Sequence, residues 1–493
     1  MKTLCVRPIA LEALKRRQFL RLLSGITAAP LMGPLTELAW GAGPFTDYRA
    51  LVCVFLFGGN DAHNMIVPLD SRYATYAANR GPLALPQASL QATSVTDPTQ
   101  GSFGFHPRMT QLSGLFRSGK LAAISNVGVL LRPTTKFDFQ NRSQLSPQLF
   151  SHNDMQDHWH TSRPQAPVTD GWGGRLADLI QSANTGQLSV SVSTASSGVF
   201  LKGTTAVAHQ VLSYNPPNPI VQRVRAYRDW DVNGANPQAV YANAITMART
   251  NLLEDQFGDV AARSVEVNDF VLNALYSGPD NKGAYTEKTA LKTVFPTGNP
   301  LAAQLRSVAM LIAGRQALGV KRQIFFVSVG GGFDNHSDQF DASGSTLKPG
   351  ASDPVILFGR HADLLSQVDA GLKAFYDATV ELGVQNGVTT FTESDFGRTL
   401  TSNGKGSDHG WGSHHLVMGG AVKGGRIYGT FHNMQVGSGN PADAGQGRLI
   451  PDYSVDQYAA TLSKWMGANA AELNVVFPNL QNFGSVTDLG FLA

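Results

Sequence analysis

With 493 residues, 42% of them hydrophobic and only 15% charged, the chain has ample material for a buried core, and its 51 Gly and 25 Pro promise many loops. The formal net charge of +3 is small for this length and is partly used up in the first segment, so no basic stripe argues for a nucleic-acid partner.

The chain begins with a targeting pattern. Lys2, Arg7 and Lys15 make a basic start, Arg16-Arg17-Gln18-Phe19-Leu20 is a twin-arginine motif, and residues 22–35 form a modestly apolar run broken by Gly25, Pro30 and Gly33. Residues 1–42 are therefore expected to be a twin-arginine signal peptide, cleaved between Ala39 and Ala42. The twin-arginine translocase would deliver residues 43–493, a single α/β domain, to the periplasm or the medium. That route carries proteins already folded, which suits one that acquires metal in the cytoplasm. No later stretch reaches ~18 consecutive apolar residues, so no stable membrane span is expected. Cys5 leaves with the signal, and Cys53 alone cannot form an internal disulfide. Its apolar neighbours make Cys53 a buried small hydrophobe.

Residues 50–57 (ALVCVFLF) are a continuous apolar run, as in a parallel strand covered on both faces, and the run stops at Gly58-Gly59-Asn60-Asp61. Residues 87–103 read as a polar loop, 109–117 as a helix and 121–127 as a second strand. A helical insertion is expected around 221–276. Asn299 as N-cap and Pro300 at the first helical position open a helix carried by Leu301, Leu305, Val308 and Ile312, with Gly319 near its end. The strand 323–329 then breaks into Gly330-Gly331-Gly332-Phe333-Asp334. After a loop over 340–353, residues 361–382 show helical spacing, Gly383 stops the helix, and the strand 388–392 leads into Glu393-Ser394-Asp395. Residues 437–447 form another loop. Alternating strands and helices predict an α/β fold with a mostly parallel central sheet flanked by helices.

Asp61, Asp334 and Asp395 each fall just beyond the C-terminal end of a predicted core strand, the edge where open α/β sheets place their ligands. Singly, each reads as a turn or cap residue; together they deliver three acids to one rim. Ser407-Asp408-His409-Gly410-Trp411-Gly412-Ser413-His414-His415 adds one carboxylate and three imidazoles, donors suited to Zn²⁺, Mn²⁺ or Fe²⁺. Taken alone, that stretch reads equally as a His-rich surface loop.

These motifs, in this order, carry a resemblance: Phe57-Gly58-Gly59-Asn60-Asp61, Phe105-His106-Pro107, Phe150-Ser151-His152-Asn153-Asp154, Gly332-Phe333-Asp334-Asn335-His336, Asp395-Phe396-Gly397-Arg398-Thr399, Ser407-Asp408-His409-Gly410, and Gly419-Gly420-Ala421-Val422-Lys423-Gly424-Gly425. The chain resembles the bacterial "domain of unknown function 1501" family, itself remotely similar to the alkaline phosphatase and sulfatase superfamily. The resemblance implies an alkaline-phosphatase-like fold and two divalent ions, Zn or Mn, with Mg or Ca as alternatives. It places Asp61, Asp408 and His409 on one ion, and Asp334, His336 and one of His414 or His415 on the other. It further implies that Ser151 attacks phosphorus or sulfur and that Arg398 clamps the equatorial oxygens. The superfamily spacing leaves His336 and Asp338 as alternatives for one ligand, Ser151 reads equally as a helix N-cap, and Arg398 equally as a salt-bridge partner of Asp395. A formylglycine nucleophile is disfavoured, because neither cysteine lies in a C/S-x-P-x-R context and Ser162-Arg163-Pro164-Gln165-Ala166 lacks the arginine.

The function expected is an exported metal-dependent hydrolase of small-molecule or polysaccharide phosphate or sulfate esters. The alternatives are a non-catalytic envelope or polysaccharide-binding protein that keeps the fold, and a head-group or carbohydrate transferase using the same covalent intermediate.

Overall fold

The computed structural model describes residues 45–221, 243–247, 249–278, 284–340, 347–348, 350 and 353–493. The signal-peptide reading of residues 1–42 falls outside the described residues, as do residues 222–242 of the expected insertion and much of the 340–353 loop.

The apolar run near the start becomes β1 (Arg49–Leu56), the middle of a nine-stranded sheet. The remaining strands of that sheet are β2 (Leu121–Gly128), β3 (Ser191–Ser193), β4 (His209–Gln210), β5 (Arg322–Val329), β6 (Val388–Ser394), β7 (Ser413–Gly419), β8 (Ile427–Tyr428) and β9 (Tyr453–Ser454). The order is β8-β2-β7-β6-β1-β5-β3-β4, with β9 also on β2. Strands β6, β1 and β5 run parallel, and Leu56 lies opposite both Val329 and Ser394, so all three end at one edge. Only β7 runs against its neighbours β6 and β2, which makes the sheet mostly parallel within an α/β fold.

Period-two alternation on β1 feeds two cores. Ala50, Val52, Val54 and Leu56 join the helices Thr110–Arg117, Pro300–Ala313 and Arg360–Glu381 on one face. Leu51, Cys53 and Phe55 join the helices His152–Thr161, Trp172–Ile180 and Val455–Met466 on the other. Cys53 is fully buried, with Sγ 3.6 Å from Glu393 Oε2, and burial followed by that carboxyl pushes its thiol pKa well up. The helix expected after Asn299 is present, and the Asn299 side chain accepts from the Ala302 N–H at 3.1 Å. Leu252–Leu275 is one helix within the region expected to be helical. No helix among the described residues is long and apolar enough to cross a membrane.

Residues 87–103 are more ordered than their composition suggests. They hold a 3₁₀ segment (Gln87–Thr93) and contribute to a three-stranded antiparallel sheet with Ile66–Pro68, in which Val95, Phe103 and Phe105 are buried. The strands are too short for their alternation to stand out among Ser, Thr and Gly. Ser407 to His415 is likewise not one loop: Ser407–His409 pairs antiparallel with Arg398–Ser402, and the last three residues begin β7.

Gly58 closes the turn after β1 at φ +111°, where a Cβ would lie 2.3 Å from the Asp334 backbone nitrogen. Gly58→Ala is expected to lower unfolding free energy by at least about 2 kcal/mol, because a side chain there combines left-handed strain with a backbone clash. Denaturant unfolding checks this; a change under about 0.5 kcal/mol, the range of neutral surface substitutions, would show that the turn tolerates a Cβ.

Candidate metal centre

Because β6, β1 and β5 are neighbours, Asp395, the Gly58-Gly59 turn and Asp334 meet at the shared C-terminal rim. Asp395 is buried, and both its oxygens lie 3.2 Å from the Gly58 N–H. Arg398, also buried, donates from Nε to the Gly59 carbonyl (2.9 Å), from Nη1 to Ser407 (2.8 Å), and from Nη2 to Gly58 (2.5 Å), Phe333 (3.1 Å) and Asp334 Oδ1 (2.5 Å). Its salt-bridge partner is thus Asp334 rather than Asp395, and these bonds occupy the guanidinium expected to clamp substrate oxygens. Opposite Arg398 in the short hairpin stands His409.

Three imidazoles surround the Asp334 carboxylate, and each has its Nδ1 held by an acceptor. His152 Nδ1 lies 2.6 Å from Asp395 Oδ2, His336 Nδ1 3.2 Å from Asp408 Oδ1, and His409 Nδ1 2.7 Å from the Phe150 carbonyl. A carbonyl or carboxylate can only accept, so the proton of each neutral ring sits on Nδ1 and the lone pair on Nε2. The Nε2 atoms all turn toward the Asp334 carboxylate. His336 and His409 Nε2 are 2.8 Å apart and stand 3.1 and 3.6 Å from Asp334 Oδ1, while His152 Nε2, 3.5 Å from Asp334 Oδ2, has no hydrogen-bond partner among the described residues. Ligand atoms of His152, Asp334 and His409 lie within 4.8 Å of one another. Lone pairs facing a carboxylate at these distances repel unless protons or a metal cation stand between them. The donor set, three imidazole nitrogens and one carboxylate, fits Zn²⁺ or Mn²⁺ better than Mg²⁺ or Ca²⁺, which prefer oxygen.

The centre faces solvent, with the Asp334 side chain 40% exposed. Burial raises the Asp334 pKa, but the bond and charge of Arg398, with His152 and His336, bring it below the usual carboxylate value and keep it ionised. Burial, with Arg398 and the two other imidazoles, lowers the His409 pKa and favours the neutral, ligating ring, against the opposing pull of the Phe150 carbonyl.

Of the residues expected from the sequence, Asp334, His336, Asp408, His409 and Arg398 come together here. Asp408 acts behind His336 rather than at the point of convergence. His336, not Asp338, faces the centre; Asp338 lies 3.4 Å from Arg360 Nη1. Ser151 sits between Phe150 and His152 as the N-cap of the helix His152–Thr161, and its hydroxyl donates to Asp154 at 2.5 Å.

Asp61, His414 and His415 do not join this cluster. Asp61 is buried against Arg80 and also accepts from the Gln339 amide. Burial would raise its pKa, but Arg80, His361, His63 and Gln339 together hold it at about 2. As neighbours on a strand, His414 and His415 point to opposite faces of the sheet. His414 Nδ1 accepts from the Asn126 N–H at 3.1 Å and its ring stacks on Phe431, whereas the His415 ring packs against Trp159 and Tyr458. The two-ion assignment therefore finds one point of convergence among the described residues.

From the sequence, His152 is a member of the Phe150-Ser151-His152-Asn153-Asp154 motif with no role of its own, and Asp395 is a rim acid or a partner of Arg398. Its signal was adjacency: a histidine next to a helix-capping serine, within a motif already singled out. The Phe150 carbonyl left no trace in side-chain patterns.

Arg80→Met would leave Asp61 buried without its counter-charge and is expected to cost about 3–5 kcal/mol of stability in chemical unfolding. Since the folded pKa of Asp61 is depressed to about 2, its contribution is full above about pH 4 and is lost as pH falls through 2. Arg80→Met should therefore show a shallower loss of stability between pH 4 and 2 than the parent, and parallel curves would exclude this pair as a source of acid sensitivity.

No curated protein matches the chain in sequence. Among solved structures, it is similar to the PsFucS1 sulfatase from Pseudoalteromonas sp., at 12% identity and a TM-score of 0.34, covering 92% of this chain and 73% of that one. It is also similar to the soluble domain of lipooligosaccharide phosphoethanolamine transferase A from Neisseria meningitidis, at 12% identity and a TM-score of 0.31, covering 90% and 93%. A third is Ps i-CgsB in complex with k-i-k-neocarrahexaose, at 12% identity and a TM-score of 0.34, covering 89% and 77%. Residues 279–444, which carry Asp334, His336, Arg398, Asp408 and His409, match the family described as "Protein of unknown function (DUF1501)", the family that the motifs resemble.

Proposed function

We propose that this protein is a metal-dependent hydrolase of phosphate or sulfate esters, exported through the twin-arginine pathway, with a single cation held by His152, Asp334, His336 and His409. The observation that carries the reading is the meeting of the His152 and His409 imidazoles with the Asp334 carboxylate, with His336 Nε2 2.8 Å from His409 Nε2 and every Nδ1 held from behind. Such backing fixes ring orientation and tautomer and raises ligand basicity. A cation there would supply Lewis acidity, polarising the ester oxygen and lowering the pKa of an attacking hydroxyl. The protein's own part is positional. Asp395 holds His152, Asp408 holds His336, the Phe150 carbonyl holds His409, and Arg398 keeps Asp334 ionised and in place. Ser151, between two of these elements, is the proposed nucleophile, with Asp154 as acceptor for its proton at 2.5 Å.

One observation favours a second reading, a non-catalytic protein that binds an envelope or polysaccharide partner: the bonds to carbonyls and Asp334 leave Arg398 unable to serve as an oxyanion clamp. Turnover separates the two readings.

His152→Ala and Asp334→Ala should each weaken Zn²⁺ affinity more than tenfold, measured by competition with a chelating dye, and Asp408→Asn should do so by about 10–100-fold through His336. Undiminished Zn²⁺ affinity in His152→Ala would falsify the proposed ligand set. On a panel of phosphate and sulfate esters, Ser151→Ala should reduce kcat at least 100-fold in the Zn²⁺- or Mn²⁺-loaded protein. Full activity in that variant would remove Ser151 as nucleophile, and no turnover by the loaded parent on any ester would leave the binding-protein reading in its place.

A further inference from the structure

The segment between the helices Lys136–Gln140 and His152–Thr161 borders a cavity of about 710 Å³ that is open to solvent on one side, within the usual volume range for a small-molecule site. Phe139, Leu145, Leu149 and Phe150 supply apolar walls; Arg142 and Ser146 are among the polar ones, and no carboxylate lines it. Ser146 is 5% exposed, yet its hydroxyl has no hydrogen-bond partner among the described residues. A buried hydroxyl without a partner is costly.

The same segment is strained. Arg142, Gln144, Gln148 and Phe150 all have positive φ, from 50° to 73°, although none is glycine. Left-handed backbone costs roughly 1–2 kcal/mol per such residue and persists where surrounding contacts impose it. At Phe150 the outcome of the strain is visible. The carbonyl reaches His409 Nδ1, and the ring forms cavity wall on one side and lies 5.4 Å from the Arg448 guanidinium. Arg448 in turn donates from Nε to the His409 carbonyl at 2.8 Å. One residue thus links the metal centre, the cavity and a cation.

We propose that this cavity is the subsite for the organic group of the ester, taking a ring-sized group with an apolar face and no positive charge, and that Arg448 contacts the ester's anionic oxygens in place of the occupied Arg398. Apolar walls favour the ring face, and Arg142 disfavours an ammonium group. The inference rests on the ester-hydrolase reading above, and phosphonates, which lack the scissile ester bond, separate the two.

The test is calorimetric binding of phenylphosphonate and methylphosphonate to the Zn²⁺-loaded full chain. Phenylphosphonate should bind at least tenfold tighter than methylphosphonate. Ser146→Leu and, more fully, Ser146→Trp should take up part of the cavity and reduce that preference while methylphosphonate affinity stays within twofold; two sizes of filler guard against one variant failing to fold. Arg448→Gln should weaken both phosphonates about tenfold, and by more than it weakens Zn²⁺ binding. Equal affinity for the two phosphonates in the parent, or a preference undiminished by both fillers, overturns the subsite while leaving the hydrolase reading standing. Unaltered phosphonate binding in Arg448→Gln overturns the role of that arginine. Failure of the Zn²⁺-loaded parent to bind either phosphonate overturns the hydrolase reading, and the subsite with it.

Discussion

Everything at the rim depends on one buried guanidinium. Arg398 gathers the carbonyls of Gly58, Gly59, Phe333 and Ser407 together with the Asp334 carboxylate, five acceptors from three separate stretches of chain. Removing a full charge from water costs several kcal/mol unless geometry and hydrogen bonds compensate, and a planar fork meeting this many oxygens is the arrangement in which they do. The turn after β1, the loop after β5 and the 398–409 hairpin are thereby pinned to one another. Asp334 and His409 keep their separation because both ride on that knot.

Around it, the structure divides work between inner atoms and outer ones. Asp334 stands toward solvent, whereas Asp395 is buried and shared between His152, the Gly58 N–H and the Gln156 amide. A buried acceptor bonded to backbone cannot follow the ring outward, so His152 is held to one rotation and one tautomer. His409 obtains the same constraint from a main-chain carbonyl, at the expense of a left-handed Phe150. Asp61 and Arg80 form a second buried pair beneath the rim, and Arg80 also donates to the Thr399 and Leu400 carbonyls. That pair ties the turn after β1 to the hairpin strand from the other side.

Much of the sheet was legible because its strands are unusually uniform. Residues 50–57 are a continuous apolar run and residues 324–327 a shorter one, and such runs have few alternatives to a doubly covered parallel strand. The helix after Asn299 declared its own start through cap and proline. The strands within 87–103 did not, being short and built from Ser, Thr and Gly around a few buried apolar residues. Strand β7 was hidden differently: His414 and His415 drew attention as chemistry, while their two-residue periodicity on a central strand turns them to opposite sides of the sheet.

By itself the sequence determined that acids follow three core strands, that a histidine-rich stretch lies downstream, and that the fold is α/β, since each of these rests on local periodicity and on where apolar runs stop. Only the tertiary structure decided which of those groups share a site. Strand order made β6, β1 and β5 neighbours, Arg80 took Asp61 out of reach, and β7 buried two imidazoles. A helix from elsewhere in the chain brought His152 to Asp334, 182 positions away along the chain. Ligand sets depend on distances of a few ångströms between residues far apart in sequence, and spacing along a chain carries no record of those distances.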